Sequence, residues 1–330
     1  VGIAQGCKVM NARPERFDFL AYFPNRMIHI AYNIDGNYVR FCGVTTLSIL
    51  ENNRNESLCF HVVGRGLTDE HRRLLTELVE RYHQQIRFYE PDARLLEGFA
   101  VQKFSRRISL ATYYRCFLSE ILPTEVDRVL YLDCDILVLQ SLAPLAEIPM
   151  DQVAVAAVED IGCHEAERYE ILQYPAEHSY FNAGVLLLNL DYWREHHIAK
   201  ACMDYYHAHA DRLLYNDQDL LNSVLHDCKA TLPLRWNVQD GFYRRHVASP
   251  IAQEPGFQET LAHPAILHFT NRKPWNYESQ HPLRHLYYDY EAASPWAAEG
   301  RQGACLRRLK RFFRLLPFYL HLRKAKYIQA

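Results

Sequence analysis

A chain of 330 residues with 49% hydrophobic and 23% charged residues is too apolar for a disordered polymer and long enough to bury a substantial core, as one large domain or two small ones. The formal net charge of −2 hides an asymmetry: from Arg301 onward there are nine Lys or Arg and no Asp or Glu, against 28 basic and 39 acidic residues before it. Nine cysteines without a Cys-x-x-Cys pair exclude a zinc ribbon and a small disulfide scaffold and suit a reducing compartment, and no run of 18 apolar residues or signal peptide is legible.

Residues 1–25 show no periodicity and are expected to extend the fold. The first strand signal is Met27 to Tyr32, followed by the polar turn Asn33-Ile34-Asp35-Gly36-Asn37-Tyr38 and a helical pattern ending at Asn52-Asn53. A second strand, Leu58 to Val63, leads to Thr68, an expected N-cap with Asp69 and Glu70 in the first turn. Leu74, Leu75, Leu78 and Tyr82 then mark one helix face. A short strand at Ile86–Tyr89 and a helix from about Ser109 to Leu122 continue the alternation. Alternating strands and helices predict an α/β fold with ligand loops at the carboxyl ends of the strands.

Residues 126–138 are a nearly unbroken apolar run interrupted by Asp133 and Asp135, and read as a strand buried on both faces. Side chains at i and i+2 of an extended chain share a face, so the two carboxylates can converge on one divalent cation, Mg2+ or Mn2+ by their oxygen-only character. A second Asp-x-Asp occurs at Asp217 and Asp219, so the pattern needs context. Further strands are expected at Val153–Val158, Tyr180–Leu190 and Ala265–Thr270, with helices through Trp193–Tyr205 and from Asp217. No linker separates these elements, which places one mixed domain at about 26–290 and a tail at 291–330.

Six stretches stand in one order: Asp35 with Asn37-Tyr38, Thr112-Tyr113-Tyr114-Arg115, Val129 to Asp135, Tyr180 to Val185, Asn216-Asp217-Gln218-Asp219, and His268-Phe269-Thr270 with Lys273-Pro274-Trp275. Together they resemble the family 8 glycosyltransferases, retaining enzymes that use nucleotide-activated sugars and include lipopolysaccharide glucosyl- and galactosyltransferases. The resemblance covers about three quarters of the chain. It implies a GT-A type fold, a mixed central sheet flanked by helices, and transfer of glucose or galactose from a UDP-sugar to a saccharide acceptor. It implies Asp133, Asp135 and His268 as ligands of Mn2+ or Mg2+. Asn33, Asp35, Asn37, Tyr38, Ile108, Cys134 and Lys273 would hold the nucleotide. Arg115, Asn182, Ala183, Asp217 and Gln218 would line the donor sugar, with Gln218 and Asp217 catalytic. Between His268 and Lys273 this sequence is one residue shorter than the family pattern, with Asn271 near its usual Gly.

The tail from Leu306 to Lys326 interleaves basic and aromatic residues, a composition suited to an anionic membrane surface, with Pro317 expected to split its helix in two. That favours a lipid-linked acceptor, a peripheral position on the cytoplasmic face of a membrane, and no nucleic-acid partner. Two rival readings are a Mg2+-dependent phosphatase of the haloacid dehalogenase type, with an Asp nucleophile, and a nucleotide-sugar or glycan-binding module without turnover.

Overall fold

The computed structural model describes residues 27–100, 109–276, 279–301, 304–320, 322–324 and 326–328. The expected extension at 1–25 and Ile108 lie outside them. Among the described residues ten strands form in chain order: β1 Ile28–Asp35, β2 Leu58–Arg65, β3 Gln85–Tyr89, β4 Arg128–Leu132, β5 Ile136–Val138, β6 Val155–Glu159, β7 Phe181–Asn189, β8 Lys229–Thr231, β9 Val238–Gln239 and β10 Ile266–His268. Seven make one mixed sheet in the order β3-β2-β1-β4-β7-β6-β8, and β5-β10-β9 make a second, smaller one. In the large sheet only β7 runs against its neighbours β4 and β6.

Both faces of this sheet are covered, as the apolar strand sequences require. Period-2 alternation divides β4 between them. Leu130 and Leu132 face the side carrying the helices Val39–Asn52 and Asp69–Glu80. Val129 and Tyr131 face the side carrying Ile198–His209 and Asp217–Leu225. Thr68 caps its helix as expected, its hydroxyl accepting from the His71 N–H at 3.2 Å.

The run 126–138 is not one strand. The chain leaves the large sheet after Leu132, turns through Asp133-Cys134-Asp135, and enters the small sheet at Ile136. The two carboxylates therefore converge through a turn between sheets, not through the pleat of an extended chain. Two main-chain bonds set that turn. Asp133 N donates to Gly184 O on β7 at 2.9 Å, and Phe269 N, just past β10, donates to Asp135 O at 3.0 Å. The antiparallel register of β5 and β10 sets His268 opposite Ile136, beside Asp135.

The chain closes with the helix Ala304–Tyr319 and a return to the body. Pro317 lies inside this helix and does not split it. Its place in the last turn is the reason, since only one late i to i−4 bond is lost there. Tyr327 bridges antiparallel to Arg244, with Arg245 N donating to Lys326 O at 3.0 Å and Ile328 N to Tyr243 O at 2.9 Å. Among the described residues no helix is long and apolar enough to cross a membrane.

Candidate active site

Asp133, Asp135 and His268 converge at the seam between the two sheets, with one ligand atom from each lying within 4.8 Å of the others. His268 Nε2 stands 3.2 Å from Asp135 Oδ1 and 3.8 Å from Asp133 Oδ2. Lys273 also arrives here: its Nζ donates to Asp135 Oδ2 and, at 2.9 Å, to the carbonyl of Phe269. Burial alone would raise the Asp135 carboxyl, but the neighbouring Lys273 ammonium outweighs it and holds the group below the usual carboxylate range.

The state of the imidazole follows from an unambiguous donor. Gly184 N–H donates to Asn182 Oδ1 at 3.1 Å, so the atom that Asn237 turns toward Asn182 Oδ1, at 2.9 Å, is its amino group. The Asn237 carbonyl oxygen is then the atom 2.9 Å from His268 Nδ1, which makes Nδ1 the protonated nitrogen. In the neutral ring the lone pair on Nε2 faces two carboxylates. Asp135 Oδ1, fully buried, has no hydrogen-bond partner. A lone pair and an orphaned anionic oxygen aimed at one point repel each other unless a cation lies between them, and two carboxylates with a neutral imidazole are a donor set for Mn2+ or Mg2+. The residues present fit a divalent ion.

On the other side of Asp133 lies a charged network. Arg115, from the 3-10 segment Leu110–Phe117, donates to Asp133 Oδ1 at 2.9 Å and to Ala183 O at 2.7 Å. It pairs with Asp217 Oδ2 at 3.1 Å and lies over the Tyr131 ring at 4.3 Å. Burial opposes the Arg115 charge, yet Asp133 and Asp217 outweigh it and raise its pKa. Burial raises the Asp217 carboxyl, and Arg115 offsets only part of that rise. Thr112 Oγ1 donates to Asp217 Oδ1 at 2.6 Å. Beside Asp217, Gln218 Oε1 accepts from Ala183 N at 3.0 Å and from Asn182 Nδ2 at 3.2 Å, and its Nε2 donates to Asp160 Oδ2 at 3.3 Å.

The polar turn after β1 closes the other edge. Asp35 Oδ1 accepts from Asn37 N at 2.9 Å, and burial together with Asp135 pushes the Tyr38 hydroxyl up to about 12. Asn33, with its carbonyl turned toward Arg115, accepts from that residue's main-chain N–H at 2.5 Å. Cys134 turns its thiol into the core, so its contribution at the turn is main-chain. Asp219 leaves the site altogether: it accepts from the Tyr180 hydroxyl at 2.6 Å and from Tyr215 N at 2.6 Å, so the second Asp-x-Asp is no second cation site.

Two participants escape the sequence reading. Asp160 follows β6 at its carboxyl end, the same signal that marks Asp35. Asn237 precedes the two-residue strand β9 and carries no motif at all. The phosphatase reading fails on position and on chemistry. The Asp pair follows the fourth strand in the chain rather than the first, and Asp133 Oδ1 is already held by Arg115 and by the Tyr131 hydroxyl at 2.8 Å.

Among known proteins, General stress protein A of Bacillus subtilis is 31% identical over 282 residues, 84% of this chain and 97% of that one. The lipopolysaccharide 1,3-galactosyltransferase of Salmonella typhimurium is 29% identical over 275 residues, covering 82% and 79%. In three dimensions the chain is similar to the galactosyltransferase LgtC, solved in complex with donor and acceptor sugar analogs. The TM-score is 0.73 and the identity 27%, over 81% of this chain and 96% of that one, and the mixed sheet flanked by helices is the GT-A arrangement. The model of glycosyl transferase family 8 matches residues 29–279, from the first strand to just past the loop that carries Lys273, and the chain belongs to that family.

Proposed function

We propose that this chain is a retaining hexosyltransferase that moves glucose or galactose from a UDP-sugar to a saccharide acceptor, lipopolysaccharide or another surface glycan. The observation that carries the reading is the convergence of Asp133, Asp135 and His268, with Nδ1 held by Asn237 so that Nε2 is the nitrogen turned toward the two carboxylates. A divalent ion held by these three, Mn2+ or Mg2+, would supply charge for the departing diphosphate. Lys273 adds a point charge on the same side, and Asp35, Asn37 and Tyr38 supply a carboxylate, a main-chain edge and a ring for uracil and ribose. Main-chain atoms of Cys134 and the side chain of Asn33 complete the nucleotide pocket.

Arg115, Asn182, Ala183, Asp217 and Gln218 line the donor sugar in this reading. Gln218 Oε1 already accepts two hydrogen bonds, which draw electron density from it. That supports a fixed dipole facing the oxocarbenium-like centre, with attack from the side of the leaving group, over a nucleophilic amide. Residues 26–290 then form the catalytic unit.

The tail supports peripheral attachment to an anionic, cytoplasmic membrane face. Leu306, Leu309, Phe312 and Phe313 are more than half exposed on a helix that also carries Arg308, Lys310 and Arg314.

The test is UDP release from UDP-glucose and UDP-galactose with Mn2+, with and without EDTA, in the protein and in a variant carrying Asp133→Asn and Asp135→Asn. Metal-dependent release from one donor, lost in the variant, is expected. Failure of UDP to bind in the presence of Mn2+ would sink the UDP-sugar reading.

A further inference from the structure

Beyond the metal triad the chain builds a second concave site that the donor chemistry does not use. Strands β9 and β10 run parallel, so their carboxyl ends emerge at one edge. His268 ends β10. Past it, the segment through Asn271 and Arg272 diverges from the segment 240–246 that follows β9, and the returning tail spans the gap. The three enclose a cavity of about 860 Å³.

More than half of the residues that line it are Lys or Arg, with Phe318 and Tyr327 among the rest. Arg244 and Arg245 come from one side and Arg272 from the second. The tail adds Arg314, Arg323, Lys324 and Lys326, and among the described residues that line the cavity there is no carboxylate, although Asp240 stands 4.0 Å from Arg244. Seven cations in one concavity contrast with a body in which acids outnumber bases. Such a cavity focuses a positive field and takes ligands dense in negative charge.

The tail is held in place by more than its own charge, which would drive it away from the arginines opposite. Besides the main-chain bonds to residues 243–245, the Tyr327 hydroxyl donates to Asp240 at 2.9 Å, and the Leu315 side chain is buried. The body therefore keeps like charges together by specific bonds. Arg272, which lines the cavity, is adjacent in sequence to Lys273, whose Nζ touches Asp135.

We propose that this cavity binds phosphoryl groups carried by the acceptor, so that the enzyme recognises a phosphorylated glycan by a second anion site separate from that of the donor diphosphate. The proposal rests on the hexosyltransferase reading above for the word acceptor. The chemistry recognised is a phosphomonoester or diphosphate, which a membrane phospholipid could also offer.

The experiment titrates the full chain with inorganic pyrophosphate in EDTA, where the metal triad cannot recruit it, and repeats the titration on the variant Arg245→Gln, Arg323→Gln, Lys324→Gln. Sodium chloride at matched ionic strength is the control. Saturable binding is expected, weakened roughly 100-fold in the variant by the loss of three charged contacts. UDP binding with Mn2+ should be unchanged in the variant, which shows that it is folded and that the donor site is separate. A second arm sediments the protein with vesicles of phosphatidylcholine and phosphatidylglycerol, and saturating pyrophosphate should leave it in the pellet. Absence of pyrophosphate binding, or equal binding by the variant, overturns the site. Release from the vesicles by pyrophosphate but not by chloride assigns the cavity to lipid headgroups and overturns the acceptor role. Loss of UDP release from UDP-hexoses would instead count against the hexosyltransferase reading, leaving the EDTA titration to report on the cavity alone.

Discussion

Replacing Asn237 by Leu removes the carbonyl that accepts from His268 Nδ1 and the amino group that donates to Asn182, two buried bonds of 2.9 Å each. Each buried group left without a partner costs about 1–3 kcal/mol of stability. The imidazole also loses the contact that keeps its proton on Nδ1, so a share of molecules carries it on Nε2, where a metal would bind. Loss of such an outer partner lowers metal affinity by about 10- to 100-fold, or roughly 1.4–2.8 kcal/mol. Asn237→Asp separates the two functions, because a carboxylate still accepts from Nδ1 but cannot donate to Asn182. The Leu variant should bind Mn2+ at least tenfold more weakly, while the Asp variant keeps its metal and loses turnover on the sugar side. Mn2+ titration followed by electron paramagnetic resonance, beside thermal unfolding to verify the fold, reads both. Equal Mn2+ affinity in the protein and a folded Leu variant would refute the tautomer argument.

A Cβ at Gly184 would lie 2.2 Å from His268 Cε1 and 2.9 Å from Asp133 Oδ2. Gly184→Ala should therefore displace two of the side chains proposed to hold the metal and lower turnover of the proposed donor by roughly 100-fold, with Mn2+ affinity falling in parallel. Burial depresses His281 to about 3, and its Nε2 has no hydrogen-bond partner. A histidine whose folded value is depressed stabilises the fold above its unfolded pKa near 6.5 and loses that contribution as pH falls toward 3, so about 2 kcal/mol should be gone at pH 5. Denaturant unfolding at pH 7 and pH 5 measures the loss, and His281→Phe should reduce it; an unchanged slope in that variant would assign the acid sensitivity elsewhere. Leu309 and Phe313 are 51% and 62% exposed. If the tail helix lies on a membrane, Leu309→Ser with Phe313→Ser should cut vesicle partitioning by roughly 10- to 100-fold without changing UDP release. Equal sedimentation of the double variant would refute attachment through this face.

The first half of the fold was legible because its signals are local. Long alternating strands and the Thr68 cap declare themselves within a few residues. The carboxylate pair and His268 were legible through an ordered set of stretches, yet the way they meet was not: nothing in the apolar run 126–138 announces that it serves two sheets. That break is set by bonds to Gly184 and Phe269, residues about 50 and more than 130 positions away. Asn237 was invisible for the same reason. It lies beside a strand of two residues, too short for any periodicity, and its role depends on partners at 182 and 268. Asp160 was within reach, since it follows a predicted strand as Asp35 does. Pro317 leaves its helix whole, against the sequence expectation, because a proline interrupts a helix in proportion to the turns that follow it.

The contacts from strand β7 to the imidazole form a closed circuit. Gly184 supplies the N–H that begins the run through Asn182 and Asn237 to His268, and its bare Cα is the surface against which the Cε1–Nδ1 edge of that same imidazole ring rests. Both ends of the run are held by one residue. In this circuit Gly184 and Asn237 both donate into Asn182 Oδ1, and even the near-isosteric exchange of Asn237 for Asp breaks one of its links. Descendants of this sequence must alter these positions together or leave them alone, and drift at the seam should be slow even where the surrounding loops change freely.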